Sequence, residues 1–353
     1  MSQRLIAAFV AAPLVIALLL AAFLVPLPFV TYSAGYSVDV LDEDGDGTEI
    51  IQVEGQQTYR DEGEIRMTTV LVSGPQQQKN LIGLMGAWLD PDDAVYPYDA
   101  VYREGETEEE NDIEGSVDMV SSQDSAVAVA LTELGYDVKP AVQVLYVDPE
   151  APANDRLRVR DIFLEVNEVP VETSEDLTEA ITKAGAGNGV SFRVLRNGVE
   201  RLVTVVPKLV DGRPQVGIQL GGGFVFPFDV SVNIDPNIGG PSAGLMFSLA
   251  IYDTLTPGSL TDGEAVAGTG TITPDGAVGP IGGIQQKIAG ARADGAALFL
   301  VPPDNCDDAE GANNGDMRLV LAETMHDASE ALEAWAADRD ADLPSCADLE
   351  AVR

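Results

Sequence analysis

Gly239-Gly240-Pro241-Ser242-Ala243-Gly244 runs directly into the apolar stretch Leu245-Met246-Phe247-Ser248-Leu249-Ala250-Ile251, and forty residues on stands Gly283-Ile284-Gln285-Gln286-Lys287-Ile288-Ala289-Gly290-Ala291. A serine flanked by glycines at the start of a buried helix is a nucleophile site in outline. The first N–H groups of the helix are free, and its dipole favours negative charge there. On this reading Ser242 attacks, and the backbone N–H groups of Gly240 and Ser242 hold an oxyanion. The competing reading is a helix N-cap serine. In the second stretch Ile284, Ile288 and Ala291 recur at i, i+4 and i+7, so Lys287 falls on the apolar face. A lysine buried there loses part of its preference for charge, and its neutral amine can accept the serine proton. The alternative is a lysine that runs its stem past the isoleucines to water.

Gly240 to Gly244 also satisfies G-x-S-x-G, the nucleophile elbow of α/β-hydrolases. That fold needs a histidine, and the only one, His326, follows the serine by fewer than ninety residues, too few for the usual strands and acid. An esterase of that type therefore remains the lesser alternative. His326 is not at ligand spacing from either cysteine, and no metal site is expected.

Further motifs extend the pattern: Ala267-Gly268-Thr269-Gly270-Thr271-Ile272, then Gly276-Ala277-Val278-Gly279-Pro280-Ile281-Gly282-Gly283-Ile284, then Gly295-Ala296 to Phe299-Leu300-Val301-Pro302. Together with Ser242 and Lys287 these resemble a Lon-type protease domain, densely over about residues 229–303. The resemblance implies a serine endopeptidase with a Ser–Lys dyad: Ser242 the nucleophile, Lys287 the general base, Thr269 orienting the lysine and Gly282 close to the site. Gly239 stands where many Lon proteases have an aspartate. The resemblance also implies protein or peptide substrates and a homo-oligomer, commonly a hexamer. The chain contains no G-x-x-x-x-G-K-[ST] phosphate loop, so ATP-independent cleavage of unfolded or flexible substrates is expected, with no cofactor. A catalytically inactive Lon-like scaffold is the rival class.

Upstream, Val142-Gln143-Val144-Leu145-Tyr146-Val147 reads as a strand. Thr173-Ser174-Glu175-Asp176 gives a capping box before a helix, and Asn197-Gly198 marks a two-residue hairpin. With Pro149-Glu150-Ala151-Pro152-Ala153, Leu157, Asp161-Ile162, Val166-Asn167 and Val169, the order of elements resembles a PDZ domain, a small partly open β-barrel. Arg160-Asp161 stands where the family usually has Gly-Asp, and Asn167-Glu168 where it usually has Asn-Gly. The resemblance implies a peptide laid as an added strand along Val142, Gln143 and Val144, selecting substrates. Residues 49–90 weakly resemble the start of a Lon domain, which implies that the PDZ-like domain is inserted into a discontinuous protease domain.

The chain has 353 residues, 58 acidic and 20 basic side chains and a net charge of −38. The length suggests two or three domains, 45% hydrophobic residues allow real cores, and the acidity argues against nucleic-acid partners. From Leu5 to Val38 no residue is charged, and Leu5–Val25 spans ~31 Å as a helix. It is read as an uncleaved transmembrane anchor rather than a signal peptide, in a lipid bilayer ~30 Å thick. Arg4 and the α-amino group then place the N-terminus in the cytoplasm and the remainder outside the cell membrane. On that basis the similarity is to membrane-bound PDZ-Lon proteases of bacteria acting on extracytoplasmic or membrane proteins. Asp42-Glu43-Asp44-Gly45-Asp46-Gly47 has the first half of a calcium loop, but Val53 stands at the twelfth position, so an exposed turn is the better reading. Cys306 and Cys346 are expected to form a disulfide, two independent buried thiols being the alternative. The expected fold class is α+β. Its parts are an N-terminus and transmembrane helix (1–30), a β-rich segment (31–124), the PDZ-like domain (125–210), and a Lon-type α/β domain (211–353) with a C-terminal helix.

Overall fold

The computed structural model describes residues 3–45 and 47–352. Helix α1 (Gln3–Leu24) leads through Pro26 and Pro28 into β1 (Phe29–Asp39). Then follow β2 (Ile51–Val53), β3 (Glu64–Val72), α2 (Leu81–Leu89), β4 (Ala94–Pro97) and the long α3 (Glu108–Glu133). A second unit comprises β5 (Lys139–Val147), β6 (Ile162–Val166), β7 (Val169–Pro170), α4 (Ser174–Ala184), β8 (Val190–Arg196), β9 (Val199–Val205), β10 (Lys208–Val210), β11 (Arg213–Gln215) and β12 (Ile218–Val225). The chain then returns through β13 (Val230–Val232), α5 (Gly244–Leu255), β14 (Ala265–Gly268), β15 (Thr271–Ile272), β16 (Val278–Gly279), α6 (Ile284–Ala293) and β17 (Leu298–Val301). It ends with α7 (Cys306–Glu310), β18 (Arg318–Leu321), α8 (Met325–Ala337) and α9 (Cys346–Val352).

The main sheet runs β18-β17-β14-β3-β1-β4. Its strands come from both ends of the chain: β14 pairs in parallel with β3, Ala265 opposite Glu64, while β17 and β18 continue the parallel part and β1 and β4 add antiparallel strands. Leu298-Phe299-Leu300-Val301 is buried on both faces, as a parallel strand between layers must be. The short pair β2–β13 is a second seam between early and late segments. All of β5–β12 is therefore an insertion between two halves of one α/β unit. Over the sheet lies α5, whose Leu245, Met246, Phe247, Leu249 and Ile251 are buried, and α3 packs across it through Ala126, Val127 and Ala130.

The inserted unit has its own core around Val144, Leu157, Phe163, Leu177, Val190 and Phe192 and a sheet ordered β12-β5-β6-β8-β9. Asn197 and Gly198, both at positive φ, make the tight turn between β8 and β9 whose twist matches the strands. The Thr173–Asp176 capping box opens α4. Buried Asp161 accepts both arms of the Arg196 guanidinium, at 2.6 Å each. β12 lies beyond residue 210 yet belongs to this sheet, because its eight residues pair along β5.

Within the acidic residues 102–115, Thr107 and Glu110 form a reciprocal capping box, and α3 begins at Glu108. Among the described residues, no helix is long and apolar enough to cross a membrane. Pro13 lies inside α1, where its missing N–H removes a helix hydrogen bond. The expected single-pass anchor, its contact with a lipid bilayer and the localisation built on it are withdrawn. The Met1 amino group and the Arg4 side chain, on which the orientation rested, lie outside the described residues.

The acidic loop at 42–45 is closed by Thr48 N–H donating to Asp44 Oδ1 at 2.9 Å, while Asp46 lies outside the described residues. Cys306 and Cys346 form a disulfide with Cα atoms 5.4 Å apart, tying α7 to α9.

Candidate active site

The glycine-rich turn at 239–244 is shaped by what touches it. Gly240 has φ +92°, and its N–H donates to the Gly115 carbonyl of α3 at 2.9 Å. A Cβ on Gly239 would lie 3.2 Å from the Gly115 backbone, so the position that often carries an aspartate is held small here by a helix passing against it. A Cβ on Gly244 would sit 2.7 Å from Ile272 Cγ2 and 3.0 Å from Ser122 Oγ. The glycines therefore allow α3, α5 and β15 to close around the turn, and Ser242 is left half-buried at the mouth of α5.

Lys287 is one turn into α6. Gly283 begins that helix in the left-handed region, φ +71°, where a Cβ would also approach Val70 and Tyr32 within about 3 Å. The lysine is only 2% exposed. Its Nζ lies 2.8 Å from Ser242 Oγ, 3.0 Å from Thr269 Oγ1 and 3.1 Å from the Thr68 carbonyl of β3. Thr269, fully buried, donates its hydroxyl proton to the Ser242 carbonyl at 2.9 Å. Burial pushes the lysine down to about 7, since no carboxylate stands beside it to repay desolvation. A Cβ on Gly282, just before α6, would meet Tyr32 Cε1 at 3.8 Å and no atom of Ser242 or Lys287 within 4 Å.

Beside the pair is a cavity of about 180 Å³ lined by Met67, Leu71, Met119, Ile238, Ser242 and Lys287, among others. It adjoins a wider cleft of about 1090 Å³, with which it shares Val70, Asn237 and Gly239 and whose walls include Asp99, Glu106, Asp112 and Asp118. An extended chain entering from the cleft can place an apolar side chain in the smaller pocket with its carbonyl at Ser242.

Some expected site residues are placed differently. The Gly240 N–H is already donated to Gly115 and the Leu245 N–H, in the first turn of α5, to the Gly270 carbonyl, which leaves the Ser242 N–H to face an oxyanion. The lane expected to take a peptide along Val142–Val144 is filled: Val144 pairs with Leu220, Gln143 with Gly221 and Val142 with Gly222 of β12, while β6 covers the other edge. His326, at the start of α8, bonds Glu133 on α3 at 2.7 Å, which raises its pKa, and takes no part in the Ser242 site. Sequence reasoning did not find the Thr68 carbonyl, Met119, Ser122 or Gly115. For the last three a signal existed: the Thr107–Glu110 capping box starts a helix on which residues 115, 119 and 122 share a face.

Comparison with known proteins bears on this geometry. A model of the PDZ domain matches residues 117–206, and one of the Lon protease (S16) C-terminal proteolytic domain matches residues 236–332. Lon protease 2 of Herpetosiphon aurantiacus is 37% identical over 93 residues, 26% of this chain and 11% of that protein. The Lon protease of Vibrio parahaemolyticus is 34% identical over 148 residues, 39% of this chain and 18% of that one. A probable periplasmic serine endoprotease DegP-like of Halomonas elongata is 39% identical over 72 residues, 20% of this chain and 15% of that one. Among solved structures, the PDZ domain of the SdrC-like protein of Listeria innocua superposes with a TM-score of 0.22 and 21% identity, covering 23% of this chain and 92% of that one. By these matches the chain combines a PDZ domain with a C-terminal domain of the Lon (S16) proteolytic type. It spans less than a fifth of the length of the curated Lon proteases cited.

Proposed function

We propose that this chain hydrolyses peptide bonds in unfolded or flexible proteins through a Ser242–Lys287 dyad, without coupling to nucleotide. The observation that carries the reading is the 2.8 Å approach of a buried lysine to a half-buried serine. Proton bookkeeping supports the direction of transfer. The Thr68 carbonyl only accepts, and Thr269 has given its own proton to the Ser242 carbonyl. The two N–H bonds of a neutral amine are directed at these acceptors, and its lone pair is left for the Ser242 hydroxyl.

The resulting alkoxide attacks the scissile carbonyl, and the Ser242 N–H holds the oxyanion. The lysine ammonium protonates the departing amine, and water, deprotonated by the same lysine, releases the acyl-enzyme. Nucleotide independence rests on the absence of a phosphate-loop motif from this sequence. An inactive scaffold is disfavoured by the intact dyad geometry.

The test is degradation of an unstructured polypeptide by the purified full chain, with and without ATP and magnesium, alongside Ser242→Ala and Lys287→Ala. Activity lost in both variants, with Ser242 labelled by a fluorophosphonate in the parent, is expected. Cleavage surviving either substitution, or strict dependence on ATP, overturns the proposal.

A further inference from the structure

Helix α3 stands between the inserted unit of β5–β12 and the nucleophile turn, and it is gripped from both sides between Gly115 and Asp124. On one face Gly115, Met119 and Ser122 follow at i, i+4 and i+7. Gly115 accepts the Gly240 N–H, Met119 lines the pocket beside Ser242, and Ser122 Oγ donates to the Pro241 carbonyl at 3.0 Å. On the other side the adjacent Gln123 and Asp124, both buried, are held by Arg160 of the PDZ domain: Nε donates to Asp124 Oδ1 at 2.8 Å and a terminal N–H to Gln123 Oε1 at 2.6 Å. The second Asp124 oxygen accepts Gln143 Nε2 from β5 at 2.7 Å, and the same amide group donates to the Gly222 carbonyl of β12.

Arg160 itself has φ +67°, a conformation in which glycine is at ease and a side chain is strained. Its own N–H closes a turn onto the Val144 carbonyl. The domain's fold thus asks only for a residue tolerating positive φ. What the side chain adds is the hold on α3.

We propose that Arg160 is a positioning residue for the nucleophile: through Asp124 and Gln123 it fixes the rotation and height of α3, and Ser122 and Gly115 pass that setting to Pro241 and Gly240, the two residues just before Ser242. The PDZ domain then governs how well Ser242 is aimed, whatever it does in substrate capture. This inference rests on the Ser–Lys reading above.

The experiment compares the full chain with Arg160→Gly, with Arg160→Gly combined with Asp124→Asn, with Ser122→Ala and with all three changes. Glycine relaxes the backbone, and the asparagine removes the carboxylate that would otherwise be buried without its cation. Thermal unfolding of the double variant is expected to match the parent within a few degrees. The readouts are the rate of Ser242 labelling by a small fluorophosphonate and kcat and KM on a short unstructured peptide.

Labelling and kcat are expected to fall about tenfold in the double variant and in Ser122→Ala, with KM changed less than twofold. The triple variant should be no worse than either, because both break one relay. Arg160→Lys should restore part of the rate. Labelling within twofold of the parent in the double variant, or losses that multiply in the triple, overturns the inference. Absence of labelling in the parent, with Ser242→Ala as control, overturns instead the dyad on which it rests.

Discussion

Replacing Lys287 by methionine should abolish activity and stabilise the fold at neutral pH. Methionine fills similar volume with no charge to desolvate. In the unfolded chain the amine holds its proton up to ~10.4; in the native state burial pushes the value down to about 7. Between those two pH values the unfolded state binds a proton that the native state does not, so the parent gains stability as pH rises through this window. At ~1.4 kcal/mol per unit, desolvating the amine costs the parent on the order of 4 kcal/mol at pH 7 relative to pH above ~10.

Methionine escapes that cost but loses the hydrogen bonds to the Thr68 carbonyl and Thr269 hydroxyl, about 1 kcal/mol each. The net expectation is a variant more stable by about 2 kcal/mol at pH 7, raising Tm by ~4–8 °C. At pH 10 it should be less stable than the parent by a similar amount. Urea titrations at pH 7, 8.5 and 10, followed through the fluorescence of buried Trp335, give both free energies. A gap that does not change with pH, or a methionine variant already destabilised at pH 7, refutes the argument that a buried neutral amine is held in this site.

The same titration sets the pH profile of the chemistry: Ser242 labelling should rise about tenfold per pH unit below about 7 and level off above it, measured with a fluorophosphonate whose own reactivity is flat over the range. Gly244→Ala should destabilise the protein by ~1–3 kcal/mol and depress labelling, because its Cβ would overlap Ile272 and crowd Ser122; thermal unfolding and labelling rate test both. Cys306→Ala with Cys346→Ala opens a loop of sequence separation 40 and should cost ~4 kcal/mol, read as a lower Tm that dithiothreitol does not lower further. Asp161→Ala leaves the Arg196 guanidinium without its buried partner and should cost ~3–5 kcal/mol in the PDZ domain, read by urea unfolding of the full chain.

What the sequence made legible was whatever depends on near neighbours. Helical spacing put Lys287 on the apolar face of its helix, and the fold buries it there. The glycine pattern around Ser242 marked a crowded turn, and the Asn-Gly pair marked the β8–β9 hairpin. What depends on pairing across the chain was not legible. Nothing in Thr68's own strand says that its carbonyl meets an amine from α6.

Nor does Ile218–Val225 announce that it will lie along β5, since three consecutive glycines carry no periodicity with which to fix a register. The start of α3 lies inside the acidic run at 102–115, where Thr107 and Glu110 at capping-box spacing are the local signal that marks it. The N-terminal apolar run was read from its length and its lack of charge, and that reading did not weigh Pro13 inside it.

The insertion of the PDZ domain between two halves of one sheet orders events during synthesis. Strands β1 and β3 leave the ribosome first, but β3 pairs with β14 only after the whole inserted domain has been made. The inserted unit has a separate core and can condense meanwhile, bringing the two ends of the interrupted sheet together. Until then the apolar side chains of β3, Ile65 and Met67, wait uncovered, and a chaperone or a slow stretch of translation has its greatest effect in that interval. The same arrangement is a safeguard. Ser242 and Lys287 both emerge late, yet the carbonyl that completes the lysine's surroundings was laid down at Thr68, so neither half of the chain carries the full set of contacts. A hydrolase built this way stays harmless to its own nascent chain until the last strands have closed the sheet.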